Sequence, residues 1–160
     1  MAAGALVCGL MGAAPAQAQE VPTGKFQIRP ARPGPQEDDR CVGWGDKQGR
    51  LWPVENRACS ESRRTTWRYE TDTRMLVSTG DCLEAWETHP GNYSPIVVTC
   101  EAVKAAQKWT LMPHYDVWGN LKGYSINPEI RMDHDLFWTT RHGGGLDIRL
   151  EGALFELRAV

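Results

Sequence analysis

No lysine or arginine occurs before Lys25, no apolar run is long enough to cross a bilayer as a helix, and no cysteine pair has the spacing C-x2-C. Each absence removes a class of protein. With 18 basic against 20 acidic residues the net charge is −2, so the electrostatic footprint of a nucleic-acid binder is missing. Arg63-Arg64 and Glu37-Asp38-Asp39 read as solvated surface. A membrane span is not expected, because the one apolar run, residues 2–14, is too short. Followed by Pro15 and Ala16-Gln17-Ala18, that run instead has the form of a secretory h-region with an A-x-A site, cut before Gln19. The missing basic residue ahead of it departs from the usual pattern. Cys8 falls inside this segment, and Ala5 stands where a lipoprotein signal has leucine.

Catalytic signatures are missing too. The chain contains no G-x-S-x-G, no H-E-x-x-H and no phosphate loop, and Gly143-Gly144-Gly145 lacks the Lys and Ser/Thr that would make it one. Zinc is not indicated, since a cysteine spacing of 18 fits no common site. Asp133-His134-Asp135 with His142 reads as loop polarity rather than a metal centre. Asn92-Tyr93-Ser94 is formally a glycosylation sequon, but Pro95 follows it. No enzyme activity, metal or cofactor is expected.

What the sequence does contain is a repeat. Arg40-Cys41-Val42-Gly43-Trp44 is echoed by Asp81-Cys82-Leu83-Glu84-Ala85-Trp86, with Cys41 to Cys82 a step of 41. Cys59 to Cys100 is again 41, and Trp67 to Trp109 is 42. A period near 40 marks supersecondary units that bury their apolar faces only by assembling with copies of themselves. Removal of residues 1–18 would leave four cysteines in an oxidising compartment, where disulfides are the default. Of the three possible connectivities the repeat favours one bridge inside each unit, Cys41–Cys59 and Cys82–Cys100. Chain entropy assigns each such loop about 3 kcal/mol.

Helical periodicity is absent from Arg40 onward, and short β-rich runs alternate with turn residues, the pattern of an all-β sandwich or barrel. Unit two has strand candidates at 74–78, 82–86, 95–100 and 107–112, and unit one at 41–44, 51–54 and 65–69. A degenerate third unit is read from Trp138-Thr139-Thr140-Arg141, which repeats the pattern of Val97-Val98-Thr99-Cys100 at a step of 41. Ala153-Leu154-Phe155 then imitates Gln107-Lys108-Trp109, with Phe155 in the tryptophan place. Three four-stranded units can close a barrel and remove exposed strand edges. The expected organisation is a signal peptide over 1–18, a Pro-rich linker over 19–39 (in which 25–29 alternates and can add a strand), and a domain over 40–160.

Cys82-Leu83-Glu84, the later cysteine and Gln107-Lys108-Trp109 resemble the Q-x-W repeat of the ricin B-chain type β-trefoil lectins, over residues 40–160. The resemblance implies a β-trefoil of three repeats and a lectin-like role with a glycan or glycoconjugate as partner, and the h-region with its A-x-A site implies a secreted or periplasmic protein. The resemblance also makes Trp67, Trp109 and Phe155 structural core residues. Sugar binding in the family uses an acid two residues after the first cysteine, an aromatic two before the second, and polar residues around the glutamine. A carboxylate accepts hydroxyl hydrogens while an aromatic face stacks on the sugar's C–H face. Here Glu84 and Gln107 match, but Val98 holds the aromatic place, Gly43 and Arg57 hold the acid and aromatic places of unit one, and Thr65 replaces its glutamine. The expected carbohydrate site is therefore Glu84 and Gln107, with Trp86 or Tyr93 as stacking partner. Glu84→Ala is expected to abolish glycan binding and leave thermal stability intact. The competing expectation is an eroded trefoil working through protein contacts, similar to the non-catalytic subunits of cytolethal distending toxins, with another secreted protein or toxin subunit as partner.

Overall fold

Two-residue alternation of apolar and polar side chains builds strand after strand from Lys25 to the end of the chain. The computed structural model describes residues 21–31, 38–131, 133–138, 146–150 and 152–160, with backbone alone at Phe137 and Trp138. Residues 1–18, Thr139-Thr140-Arg141, His142 and Gly143-Gly144-Gly145 lie outside them. The strands fall into three runs of four. The first is β1 (Lys25–Pro30), β2 (Arg40–Trp44), β3 (Trp52–Ala58) and β4 (Thr66–Glu70). The second is β5 (Met75–Ser78), β6 (Asp81–His89), β7 (Asn92–Thr99) and β8 (Trp109–Tyr115). The third is β9 (Leu121–Pro128), β10 (Asp135–Trp138), β11 (Leu146–Arg149) and β12 (Phe155–Ala159).

The outer strands of the three runs form a closed ring. β1 pairs with β12 on one side and β4 on the other, β4 with β5, β8 with β9, and β9 with β12. The remaining gap, between β5 and β8, is closed by a bridge between Met75 and Lys108 and by the Trp109 N–H donating to the Arg74 carbonyl at 2.8 Å. The inner strands form hairpins, β2–β3, β6–β7 and β10–β11. Strand β7 joins the hairpins to one another, pairing with β3 through Trp52 and Pro53 and with β11 through Ile148.

Two expectations are corrected. The alternation at 25–29 does form a strand, and Lys25–Pro30 is the first barrel strand with both edges paired rather than part of a linker over 19–39. Pro30 is tolerated because it ends the strand. In unit three, Trp138 belongs to β10, the second strand of its run, whereas Val97 lies on β7, the third of its run. The likeness of Trp138 and its neighbours to the Val97 segment is therefore a coincidence of residue type, and the first strand of unit three is Leu121–Pro128.

Phe26, Trp67, Trp109, Phe155, Ile28 and Leu136 are all fully buried in one cluster. Phe26 lies opposite Trp67 across β1–β4, and Tyr124 opposite Phe155 across β9–β12. The two tryptophans also tie hairpins to the barrel. Trp67 Nε1 donates to the Val42 carbonyl at 2.8 Å, and Trp109 Nε1 to the Leu83 carbonyl at 2.9 Å. Phe155 has no such donor, and the equivalent carbonyl, that of Leu136, accepts the Ala153 N–H at 3.3 Å instead. The disulfides Cys41–Cys59 and Cys82–Cys100 each close a loop within one unit.

The β8–β9 turn is held by one side chain. Asp116 Oδ1 accepts the N–H groups of Trp118 and Asn120, both at 2.9 Å, and Oδ2 accepts the Asn120 amide at 3.1 Å and lies 3.3 Å from Lys122 Nζ. These bonds, the Asn120 N–H first, hold the Asp116 carboxyl down at about 2. Val117 and Trp118 are left projecting into solvent.

Trp109→Phe should lower stability by about 1–3 kcal/mol, because the buried Leu83 carbonyl loses its donor. Thermal denaturation of the variant measures this. For Asp116 the folded value lies below the unfolded one, so its contribution is complete above the ordinary carboxylate range and is lost as pH falls through about 2. A carbon-detected NMR titration should find its midpoint there.

Candidate functional site

The period of two along β6 sorts its side chains onto two faces. Leu83 and Ala85 point into the core, so Glu84 and Trp86 share the outer face. Across the hairpin Glu84 is opposite Ile96 and Trp86 opposite Ser94, while Tyr93 is opposite Glu87. Tyr93 therefore sits on the other face from Glu84 and Trp86, half-buried against the core. The expectation that it stands beside Glu84 as a stacking partner is corrected by this register. Trp86, 45% exposed, is the aromatic that shares the Glu84 face.

Glu84 and Gln107 do come together, but inside the protein. Glu84 is 2% exposed, and its Oε2 accepts Gln107 Nε2 at 2.9 Å and the Lys104 ammonium at 2.8 Å. Gln107 also donates to the Thr99 carbonyl at 3.0 Å and accepts the Glu101 N–H at 2.7 Å. The pair thereby fixes the segment between β7 and β8. Lys104 carries no signal in the sequence beyond its place three residues before the glutamine. Unit one does the same work with other residues. Gln27 Nε2 donates to the Cys59 carbonyl at 2.6 Å and to Thr65 Oγ1 at 3.1 Å. An acid has no room at Gly43, where a Cβ would lie 2.8 Å from Arg57 Cγ and 2.9 Å from the Arg64 carbonyl oxygen. Trp44 and Trp52 form an edge-on pair there, 6.3 Å between centroids, with Arg64 and Lys47 each 5.1 Å from a ring.

Tyr93 belongs to a different feature, an open groove of about 720 Å³ where the tip of the β6–β7 hairpin meets β11. The Arg131 guanidinium lies 5.9 Å from its ring centroid and His134 meets it edge-on at 6.4 Å. Arg131 also grips Asp133, with both bonds at 3.1 Å, and this contact first, then His134, holds the Asp133 carboxyl down at about 2. Burial raises the Asp135 carboxyl, opposed by its hydrogen bond from Asn127. Among the described residues no group of three or more His, Cys, Asp or Glu is arranged to hold a metal ion.

No family model matches the sequence, and no curated protein matches it. Solved structures do match in shape. The β-trefoil lectin of the Vibrio vulnificus hemolysin/cytolysin, determined with N-acetyl-D-lactosamine bound, superposes with a TM-score of 0.57 at 14% identity, covering 85% of this chain and 96% of that one. This chain is a β-trefoil. A cytolethal distending toxin chain from Actinobacillus actinomycetemcomitans gives 0.58 at 15% identity, covering 84% of this chain and 90% of that one. A mosquitocidal holotoxin gives 0.65 at 14% identity over 88% of this chain, and the trefoil spans only 18% of that chain. At these identities the likeness is one of fold.

Glu84→Ala should therefore reduce stability, in contrast to the expectation from sequence. Its loss leaves the Gln107 amide without one acceptor and Lys104 without its closest carboxylate, costing about 1–3 kcal/mol. Chemical denaturation of Glu84→Ala beside Glu84→Gln checks the assignment, the glutamine variant being the milder.

Proposed function

We propose that this trefoil is an exported, non-catalytic glycan-binding module of the ricin B-chain type, taking a glycan or glycoconjugate as ligand. The observation that carries the reading is the outer face of the β6–β7 hairpin. Trp86 stands there with its ring open to solvent, two residues from the Glu84–Gln107–Lys104 cluster and across from Ser94. An exposed indole offers the plane that a sugar's C–H face stacks on, and the neighbouring polar groups suit its hydroxyls. The trefoil lectin with bound N-acetyl-D-lactosamine supports the ligand class.

Export is supported by the two disulfides, which persist in oxidising compartments, together with the h-region and A-x-A site over 1–18. Among the described residues no helix is long and apolar enough to cross a membrane.

A second reading, a trefoil that works by protein contacts within a larger assembly, is favoured by one observation. The Glu84 carboxylate is already engaged by Lys104 and Gln107 and is almost wholly buried. The fold likeness to a cytolethal distending toxin chain is compatible with it.

A glycan array with the protein lacking residues 1–18 separates the two. The lectin reading expects discrete glycan signals that fall at least tenfold in Trp86→Ala while the melting temperature stays within a degree or two. Silence on the array, with stoichiometric capture of another secreted protein, would establish the second reading instead.

A further inference from the structure

We infer that the groove between the β6–β7 hairpin and β11 is a binding site for an uncharged saccharide. This inference rests on the glycan-binding reading above and extends its site from the second unit into the third. Register provides the connection. Ile148 pairs with Tyr93 in an antiparallel ladder, which carries Asp147 to the level of Ser94 and Arg149 to the level of Asn92. Ser94 is itself opposite Trp86. The outer face thus runs without interruption from the open indole of Trp86, across Ser94 and Asn92, to the Asp147–Arg149 pair.

The chemistry of the walls selects the ligand. A saccharide ring has an apolar C–H face and a rim of hydroxyls, so its site needs apolar surface beside fixed donors and acceptors. Trp86, 45% exposed, supplies the apolar surface of this face, while Tyr93, turned to the other face, is contacted by Arg131 and His134 beneath the hairpin tip. Asn92 and Ser94 supply a neutral amide and a hydroxyl. Asp147 is the oriented acceptor. Its Oδ1 takes the Ile148 N–H at 3.1 Å, and its Oδ2 takes Arg149 Nε at 2.9 Å and lies 2.8 Å from the second guanidinium nitrogen. That leaves the carboxylate fixed in direction yet one-third exposed.

Charge in and around the groove cancels locally, Asp147 with Arg149, and Asp133 with Arg131 just behind it. An anionic sugar would meet the Asp147 carboxylate with, among the described residues, no cation in the groove that lacks an acidic partner. A neutral one meets no such penalty. The volume of about 720 Å³ lies well within the range of small-molecule sites and leaves room for more than one sugar ring.

The test is an array of neutral oligosaccharides with their sialylated and sulfated counterparts, read for the wild type, Asn92→Ala, Asp147→Asn and Trp86→Ala. Melting temperatures measured alongside confirm that each variant is folded. Neutral glycans should bind, and both groove variants should lose at least tenfold in affinity with little change in melting temperature. Should Trp86→Ala abolish binding while Asn92→Ala and Asp147→Asn retain it, the groove assignment is overturned and the lectin reading stands. Binding restricted to acidic glycans would overturn the ligand class. No binding to any glycan by the wild type would overturn both the groove and the reading beneath it.

Discussion

An indole N–H donated to the carbonyl of a neighbouring hairpin is the contact on which the architecture turns. Trp67 and Trp109 each lie at the start of a barrel strand, fill the hub with an aromatic ring, and reach across with Nε1 to hold β2 and β6 by their backbone. A hairpin alone is marginally stable in water, and its inner face needs a partner. One side chain thus serves as both core residue and tether, joining barrel and hairpin. Where the tryptophan becomes Phe155, apolar filling is retained but the tether passes to the Ala153 backbone, through a longer bond. The third unit keeps the volume of the repeat and makes the attachment through backbone instead of a side chain.

The same economy governs the polar cluster of unit two. A buried carboxylate is tolerated only when its charge and lone pairs are answered, and Lys104 and Gln107 answer Glu84. Gln107 in turn fixes the backbone at Thr99 and Glu101. In unit one, Gln27 reaches from β1 to the Cys59 carbonyl and shares that anchoring with Thr65, whose hydroxyl lies 3.3 Å from the same carbonyl oxygen. Glu84 and Gln107 are thus wired into anchoring the segment between β7 and β8.

How much of this was legible follows from what repeats. Cysteines and tryptophans carry chemistry that few other residues replace, so their step of 41 or 42 survives and identifies units one and two. Unit three has neither a cysteine bridge nor the tryptophan, and its strands must be recognised from apolar alternation, which β-branched and aromatic residues satisfy in more than one register. That is why Trp138 aligns by residue type one strand too late. Strand β1 is legible in the alternation of Phe26 and Ile28 with polar neighbours, but the prolines around it give its surroundings the composition of a linker. At the site, the sequence distance from Glu84 to Trp86 was informative because both lie on one strand. Tyr93 misled because it lies on the partner strand, where the hairpin register, not proximity in sequence, decides the face. The partnership of Lys104 with Glu84 spans a turn and depends on a rotamer, which no spacing rule encodes.

Closure of the ring between its first and last strands has a consequence of its own. β1 and β12 run side by side, and the Val160 N–H reaches the Lys25 carbonyl at 3.1 Å. Entry and exit therefore share one doorway. A barrel with that property can be spliced into the loop of another protein, or have its ends joined and be reopened at a surface turn, without stretching any strand.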